Sequence, residues 1–342
     1  MALHHTMKPI LLVFTGGTIG SQLTNGTIDT HTAAGYKLVQ MFRDQYPAQA
    51  SVEFKTLQPI QILSENLQPP VWQQVIKAIE DEDTNRYSGI IVTHGTDTLA
   101  FSAALFGVYF NALNIPLLLV SSDLPPDNPK ANGLKNFICA VDYIRQQLPS
   151  GVLVPYQNPG QPMHLHIGTR LSGCLPLSSD FISVQSQPYQ RYENGCFSLL
   201  NPVVLPPKST VSLQAHFARI LIIKPYPGLN YDGFALEHYD AVLHELYHSG
   251  TACAASAWGE QYNLSNFSQR CQQLSLPLYL APAIHSEDAY SSTRQLLAHG
   301  AQMIWNTSLE TAYAKLALAY ANFTDPQAIL DFLAADIALE KV

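Results

Sequence analysis

Two short segments place hydroxyls, glycines and a carboxylate where a reaction could be run. Thr15-Gly16-Gly17-Thr18 follows the aliphatic run Ile10–Phe14, and Thr93-His94-Gly95-Thr96-Asp97-Thr98 follows Gly89–Val92. A threonine hydroxyl becomes a nucleophile when a neighbouring base takes its proton, and backbone N–H groups exposed by glycine can hold the resulting oxyanion. Asp97 adds an anion suited to an ammonium group at charge-assisted range. The bland alternative for either segment alone is an ordinary turn, with Thr98 as a helix N-cap. Two such segments in one chain, both directly after apolar runs, favour the chemical reading.

Those segments need a scaffold. Ile10–Phe14, Gly89–Thr93, Leu117–Ser121, Gly151–Pro155, Arg219–Lys224, Ala241–Tyr247 and Leu278–Ala281 are short aliphatic runs of the kind buried on both faces of a sheet. Helical spacing separates several of them. Trp72, Val75, Ile76 and Ile79 share one face of Val71–Glu82, Leu105, Val108 and Tyr109 one face of Thr98–Asn111, and Leu316, Ala319 and Tyr320 one face of Glu310–Asn322. Strand, helix, strand implies parallel sheets with right-handed crossovers, whose strand carboxyl ends are where ligands bind. The expectation is an α/β protein of two domains. Residues 1–200 form the larger, with a mainly parallel sheet and helices on both faces. Residues 201–211, with Pro202, Pro206 and Pro207, form a linker, and residues 212–342 a smaller parallel α/β domain.

Composition narrows the function. The net charge of −8 and the lack of any Lys/Arg run leave no electrostatic footprint for nucleic acid. Five cysteines, odd in number and without a C-x-x-C, argue for reduced thiols and a cytoplasmic setting. Met1–Pro9 has no apolar leader core. The apolar stretch Leu99–Val120 is interrupted by Asn111, Asn114 and Pro116, so it reads as a buried helix and strand rather than a membrane span.

The pair T-G-G-T-I at 15–19 and H-G-T-D-T at 94–98 resembles the two signatures of the bacterial-type L-asparaginase family, of the cytoplasmic type. Ser64-Glu65-Asn66 ahead of Trp72 resembles its substrate-binding loop, and Lys224-Pro225-Tyr226-Pro227-Gly228 its K-x-Y-P-G segment. Tyr247–Thr251 and Leu309–Ala312 are also similar. The resemblance implies a Thr18 nucleophile, with Thr96 and Asp97 as its catalytic partners. It implies that Ser64 and Glu65, beside Gly17 and Gly95, bind the substrate's α-carboxylate and amine. The implied reaction attacks the side-chain amide of L-asparagine or a close analogue, forms an acyl-enzyme, releases ammonia, and needs neither metal nor organic cofactor. The resemblance also implies a homodimer or homotetramer in which one subunit's C-terminal domain closes another's site.

Four departures stand out. Thr27 occupies the position of the family's loop Tyr, and Tyr36 lies further along. Arg170 is followed by Leu171-Ser172-Gly173-Cys174 where the family has a Lys, and no Lys occurs between Lys135 and Lys208. Val120-Ser121-Ser122-Asp123 and Asn132-Gly133 replace the family's T-G-[AS] and Asp-Gly. A missing acid–base partner typically costs about 10²–10⁴ in rate. The alternative is therefore a weakened or inactive amino-acid-binding or regulatory protein on the same scaffold.

His244-Glu245-Leu246-Tyr247-His248 spells H-E-x-x-H, a zinc signature that works only on a helix. On a strand its histidines stand about 13 Å apart, too far to share an ion, and a strand is the expectation here. His164-Leu165-His166 puts two imidazoles on one strand face and reads by default as a core or surface pair.

Overall fold

The structure is a computed structural model. It describes residues 7–17, 19, 21–24, 27–30, 32–45, 52–213, 216–288 and 290–342; at 21–24, 27–30 and 32–36 it describes the backbone only. The chain divides into two compact units, 1–210 and 211–342.

The first unit carries β1 (Ile10–Val13), β2 (Ser21–Thr24), β3 (Thr27–Thr30), α1 (Thr32–Gln45), β4 (Phe54–Leu57), α2 (Pro69–Glu80), β5 (Gly89–Thr93), α3 (Leu99–Tyr109) and β6 (Leu117–Val120). It continues with α4 (Gly133–Arg145), β7 (Val152–Gln157), β8 (Met163–Ile167), β9 (Gln190–Glu193) and β10 (Cys196–Leu199). Its main sheet has eight strands in the order β10-β9-β8-β7-β6-β5-β1-β4. Pairing is parallel from β4 to β7 and antiparallel from β7 to β10, while β2 and β3 form a separate hairpin.

Every residue of β1, β5 and β6 is buried. That requires cover on both faces, which explains why these strands read as unbroken aliphatic runs. On one side α2 and α3 are tied by Trp72 Nε1 to Ser102 Oγ (2.8 Å) and Tyr109 OH to Glu80 (2.6 Å). The apolar face of α2 is the expected Trp72, Val75, Ile76 and Ile79. Elsewhere α1 meets α4 through Phe42 and Phe137, with ring centroids 5.5 Å apart, and Phe54 of β4 packs on both.

This last packing corrects the uniform right-handed expectation. The step β1–α1–β4 runs one way along the sheet and β6–α4–β7 runs the other. With α1 and α4 on the same face, the two crossovers must have opposite hands. Sequence spacing does not say which face of the sheet a connecting helix meets.

Strand order also locates a crevice. From β1 the chain steps outward to β4, returns past β1 to β5, and then steps away to β6 and β7. The turns after β1 and β5 therefore flank the point where the direction of winding reverses, the usual ligand crevice of such sheets.

The second unit has β11 (Ile220–Ile223), β12 (Ala241–Glu245), α5 (Leu264–Gln273), β13 (Leu278–Ala283), α6 (Ser291–Ala298), β14 (Gln302–Trp305), α7 (Leu309–Asn322) and α8 (Pro326–Ala334). Its sheet is wholly parallel, in the order β11-β12-β13-β14. Two apolar clusters, around Phe267 with Leu280 and around Leu243 with Leu316, form its core. A fully buried ion pair lies between Lys315 of α7 and Glu340, 2.6 Å apart. The Lys315 ammonium also donates to the Leu333 and Ala335 carbonyls, while the Glu340 carboxylate accepts from the Ile337 and Ala338 amides. The H-E-x-x-H letters lie on β12 and the turn after it. His244 is buried against Tyr231 OH (2.9 Å) and His248 is exposed, so they do not converge on one point. Among the described residues, no helix is long and apolar enough to cross a membrane.

Candidate active site

The site is assembled from loops at the carboxyl ends of β1 and β5. Thr15 ties the two strand ends together: its hydroxyl donates to the Thr93 carbonyl (2.6 Å), and its amide donates to the Thr93 hydroxyl (3.3 Å). The turn then passes through Gly16 (φ +101°) and Gly17 (φ +74°), left-handed conformations that glycine adopts without strain. A third segment runs alongside. Ile62 N–H donates to Thr15 O (3.0 Å) and Gly17 N–H to Ile62 O (2.8 Å), which carries the short turn Ser64–Asn66 to the crevice.

The turns meet backbone to backbone. A Cβ built on Gly17 would lie 2.3 Å from the Gly95 nitrogen. One on Gly95 would lie 2.4 Å from Ser64 Oγ and 3.2 Å from Gly17 Cα. No side chain fits at either position. Ser64 in turn reaches the second turn: its hydroxyl donates to Asp97 Oδ2 (2.8 Å) and accepts from the Asp97 amide (3.3 Å). Thr98 does stand at the N-cap position of α3, but its hydroxyl donates to Ser64 O (3.0 Å) instead of capping the helix.

His94 is buried, with Nδ1 2.8 Å from Gly95 O and its amide donating to Val120 O. Burial lowers its pKa, against smaller opposing contributions from that carbonyl and from Asp97. The imidazole is therefore neutral, with its Nδ1–H committed to the turn, which it braces. Thr15, Ser64, Trp72, His94, Gly95 and Phe106 enclose a very small void behind the turns, of about 10 Å³.

A second lattice supports the outer wall. Asp123 and Asn132 exchange backbone-to-side-chain hydrogen bonds of 3.0 Å each, and Asn132 Nδ2 donates to Gln157 O (3.0 Å). Asn136 links Ser121 O to the Gln157 amide. A Cβ on Gly133 would lie 2.6 Å from Ser122 Oγ and 3.4 Å from Ile19, so the end of β6 and the chain beyond the first turn converge there. Cys174 is half-buried, with Sγ 3.2 Å from Ser178 O. Burial raises the pKa of its thiol, and the Asp97 and Asp180 charges raise it further. Cys174 is thus within electrostatic reach of Asp97, in the segment where the resemblance expects a lysine.

Of the residues expected from the sequence, the structure brings together Gly17, Ser64, Gly95 and Asp97, with Thr96 partly exposed between the last two. Glu65 stands exposed on the Ser64–Asn66 turn. Thr18 lies outside the described residues, as do the side chains of Thr27 and Tyr36. Among the described residues Asp97 has no ion-pair partner; its carboxylate is bonded to Ser64. Sequence reasoning missed Thr15 and the ladder through Ile62. Their only signal was the β1 turn itself, because the partner strand end and segment 58–64 are far away in the chain.

Comparison with known proteins fits this geometry. The family model described as Asparaginase, N-terminal matches residues 9–195. A glutamyl-tRNA(Gln) amidotransferase subunit of Methanosphaera stadtmanae is 24% identical over 321 residues, covering 91% of this chain and 72% of that protein. The protein of the same name from Methanococcus maripaludis strain C7 is 25% identical, covering 98% and 81%. Among solved structures, the thermostable L-asparaginase of Thermococcus kodakarensis superposes with a TM-score of 0.80 at 22% identity, covering 98% of this chain and 99% of that one. L-asparaginase I of Vibrio cholerae gives 0.77 at 18% identity, covering 98% and 99%. With two signature turns locked together at a sheet's switch point and the family model spanning more than half its length, the chain belongs to the asparaginase family.

Proposed function

We propose that the protein is a cytoplasmic amidohydrolase that cleaves the side-chain amide of L-asparagine or a close analogue to the acid and ammonia. The supporting observation is the contact between Gly17 and Gly95, with Ser64 bonded to Asp97 beside it. Gly17 directly precedes Thr18 in the chain and Gly95 directly precedes Thr96, and the contact joins their two turns at one end of one sheet. In this reading the Thr18 hydroxyl attacks the amide carbon. The carbonyl electron pair moves to oxygen, and N–H groups of the glycine turns stabilise the oxyanion. Collapse expels ammonia once nitrogen is protonated and leaves an ester on Thr18, which water hydrolyses. Asp97 holds the substrate ammonium, Thr96 assists proton transfer, and Ser64 and Glu65 hold the α-carboxylate and amine. No metal or organic cofactor takes part. A homodimer or homotetramer is the proposed assembly.

Ammonia release from L-asparagine by the wild-type chain and by Thr18→Ala tests the reading. Activity well above background, abolished by the substitution, is the expected result. L-Glutamine belongs in the same assay, because the relatives carry the name of a glutamyl-tRNA(Gln) amidotransferase.

The second reading is an amino-acid-binding or regulatory protein. It is favoured by Cys174, a thiol, standing in the segment where the resemblance expects a lysine. Equal ammonia release by wild type and Thr18→Ala, together with measurable binding of aspartate or asparagine, would select it.

A further inference from the structure

The first unit contains a second cleft, of about 520 Å³, lined by none of the residues assigned to attack or bind the amide; only Gln157, whose main chain bonds Asn132 and Asn136, also belongs to that site's supporting lattice. Its volume is within the range of about 300–1,000 Å³ typical of small-molecule sites. One wall is a stripe of α4. Lys135, Ile138 and Asp142 line it at spacings of three and four residues, so they share a helical face. The facing wall is Gln157 at the end of β7, Met163 on β8 and Tyr192 on β9, closed by the Asn194-Gly195 turn. The stripe thus presents a cation, an aliphatic patch and an anion in sequence, with Lys135 and Asp142 about 10 Å apart along the helix axis.

Neither charge has a counter-ion among the described residues. Lys135 is exposed and has no hydrogen-bond or ion-pair partner among the described residues. Asp142 is nine-tenths buried, yet its carboxylate is bonded only to the Tyr192 hydroxyl, on one oxygen. A buried carboxylate can accept about four hydrogen bonds and is costly to leave without a cation. Glu193 at the rim is already paired with Arg191 (2.7 Å) and does not compete.

We propose that this cleft binds a free basic amino acid, with its α-carboxylate on Lys135, its aliphatic stem on Ile138 and Met163, and its side-chain cation on Asp142. A guanidinium suits the far end best. It is planar, forms a fork with a carboxylate, and packs on an aromatic ring such as that of Tyr192. The site is separate from the amide site and does not depend on the hydrolase reading.

Titration calorimetry on the full chain with L-arginine tests the proposal. One site per chain is expected. Lys135→Met, at an exposed position that folding tolerates, should weaken it about tenfold or more through loss of a charge-assisted contact. Agmatine, which lacks the carboxylate, should bind weakly and equally to wild type and Lys135→Met. Norvaline, which lacks the guanidinium, should not bind. Asp97→Ala should leave arginine binding unchanged. The proposal is overturned if neither arginine nor lysine binds, if Lys135→Met leaves the affinity intact, or if Asp97→Ala abolishes binding, since the ligand would then occupy the amide site.

Discussion

The Ser64 hydroxyl and Asp97 are bonded twice: the hydroxyl donates to the carboxylate at 2.8 Å and accepts from the same residue's amide at 3.3 Å. One side chain thereby fixes the aspartate's orientation and links the Ser64–Asn66 turn to the second signature. Ser64→Ala removes both bonds. A hydrogen bond to a charged group contributes about 1.5–3 kcal/mol. The KM for asparagine is expected to rise by about tenfold or more, with a smaller change in kcat. Steady-state ammonia release reads both constants, and an unaltered KM would remove Ser64 from the substrate contacts.

Gly17→Ala places a methyl 2.3 Å from the Gly95 nitrogen and strains a backbone at φ +74°. The strained conformation alone costs about 1–3 kcal/mol. Since the collision is with main chain, the two turns must separate. The expected outcome is a lower urea midpoint together with loss of activity. Gly151→Ala, where φ is also positive but nothing lies near the new Cβ, should lose stability without losing activity. Normal activity in the Gly17 variant would break the link between that contact and the reaction.

Cys174→Lys puts an ammonium in the segment where the resemblance expects one. If the absent lysine limits proton transfer, asparagine hydrolysis should increase by about 10²–10⁴-fold. Cys174→Met, of comparable length without charge, serves as the control. An increase in both variants, or in neither, would show that this position does not hold the missing base.

Buried histidines should make the fold acid-sensitive. Burial lowers the pKa of His244 to about 4, with a smaller opposing effect of the Glu245 backbone; burial and then the charge of His164 lower that of His166 to about 3. Below the unfolded value of about 6.5 the unfolded chain takes up protons that the folded chain refuses. Stability is therefore full above about pH 6.5 and falls as pH drops toward the folded values, by about 1.4 kcal/mol per pH unit for each histidine. His244→Phe should make the slope of unfolding free energy between pH 6 and 4.5 shallower by that amount, measured by urea denaturation. An unchanged slope would count against a neutral buried His244.

Lys315→Met leaves Glu340 buried without its cation. Breaking a buried pair from one side typically costs about 3–5 kcal/mol. Lys315→Met with Glu340→Gln should recover part of that loss, because the stranded charge is gone. Chemical denaturation of the full chain compares the two, and a single variant as stable as wild type would place the pair in water.

Much of the fold was legible because β1, β5, β6 and β12 are wrapped on both sides and so carry uninterrupted aliphatic residues. The antiparallel end was not. Gln190–Glu193 and Cys196–Leu199 lie at the sheet edge, half in solvent, and their composition follows neither period. Nor was α4, whose buried face includes Asn136 and Asp142 as well as apolar residues. At the site, the glycines, Ser64 and Asp97 could be named from their motifs. The bonds that unite them span 33 residues or more of chain and exist only once β1 and β5 lie side by side. The H-E-x-x-H letters show the converse: local spelling has no meaning until the backbone's rise per residue is known.

The close approach of Gly17 to Gly95 separates two kinds of selection acting on one signature. Folding alone disfavours any larger residue at those two places, whatever reaction follows, because main chain occupies the space beside Gly17 and the Ser64 side chain the space beside Gly95. A proton carrier that makes no contact holding the turns together answers to turnover alone. A lineage that changes or relaxes its chemistry can therefore lose a lysine and a tyrosine while Gly17 and Gly95 endure.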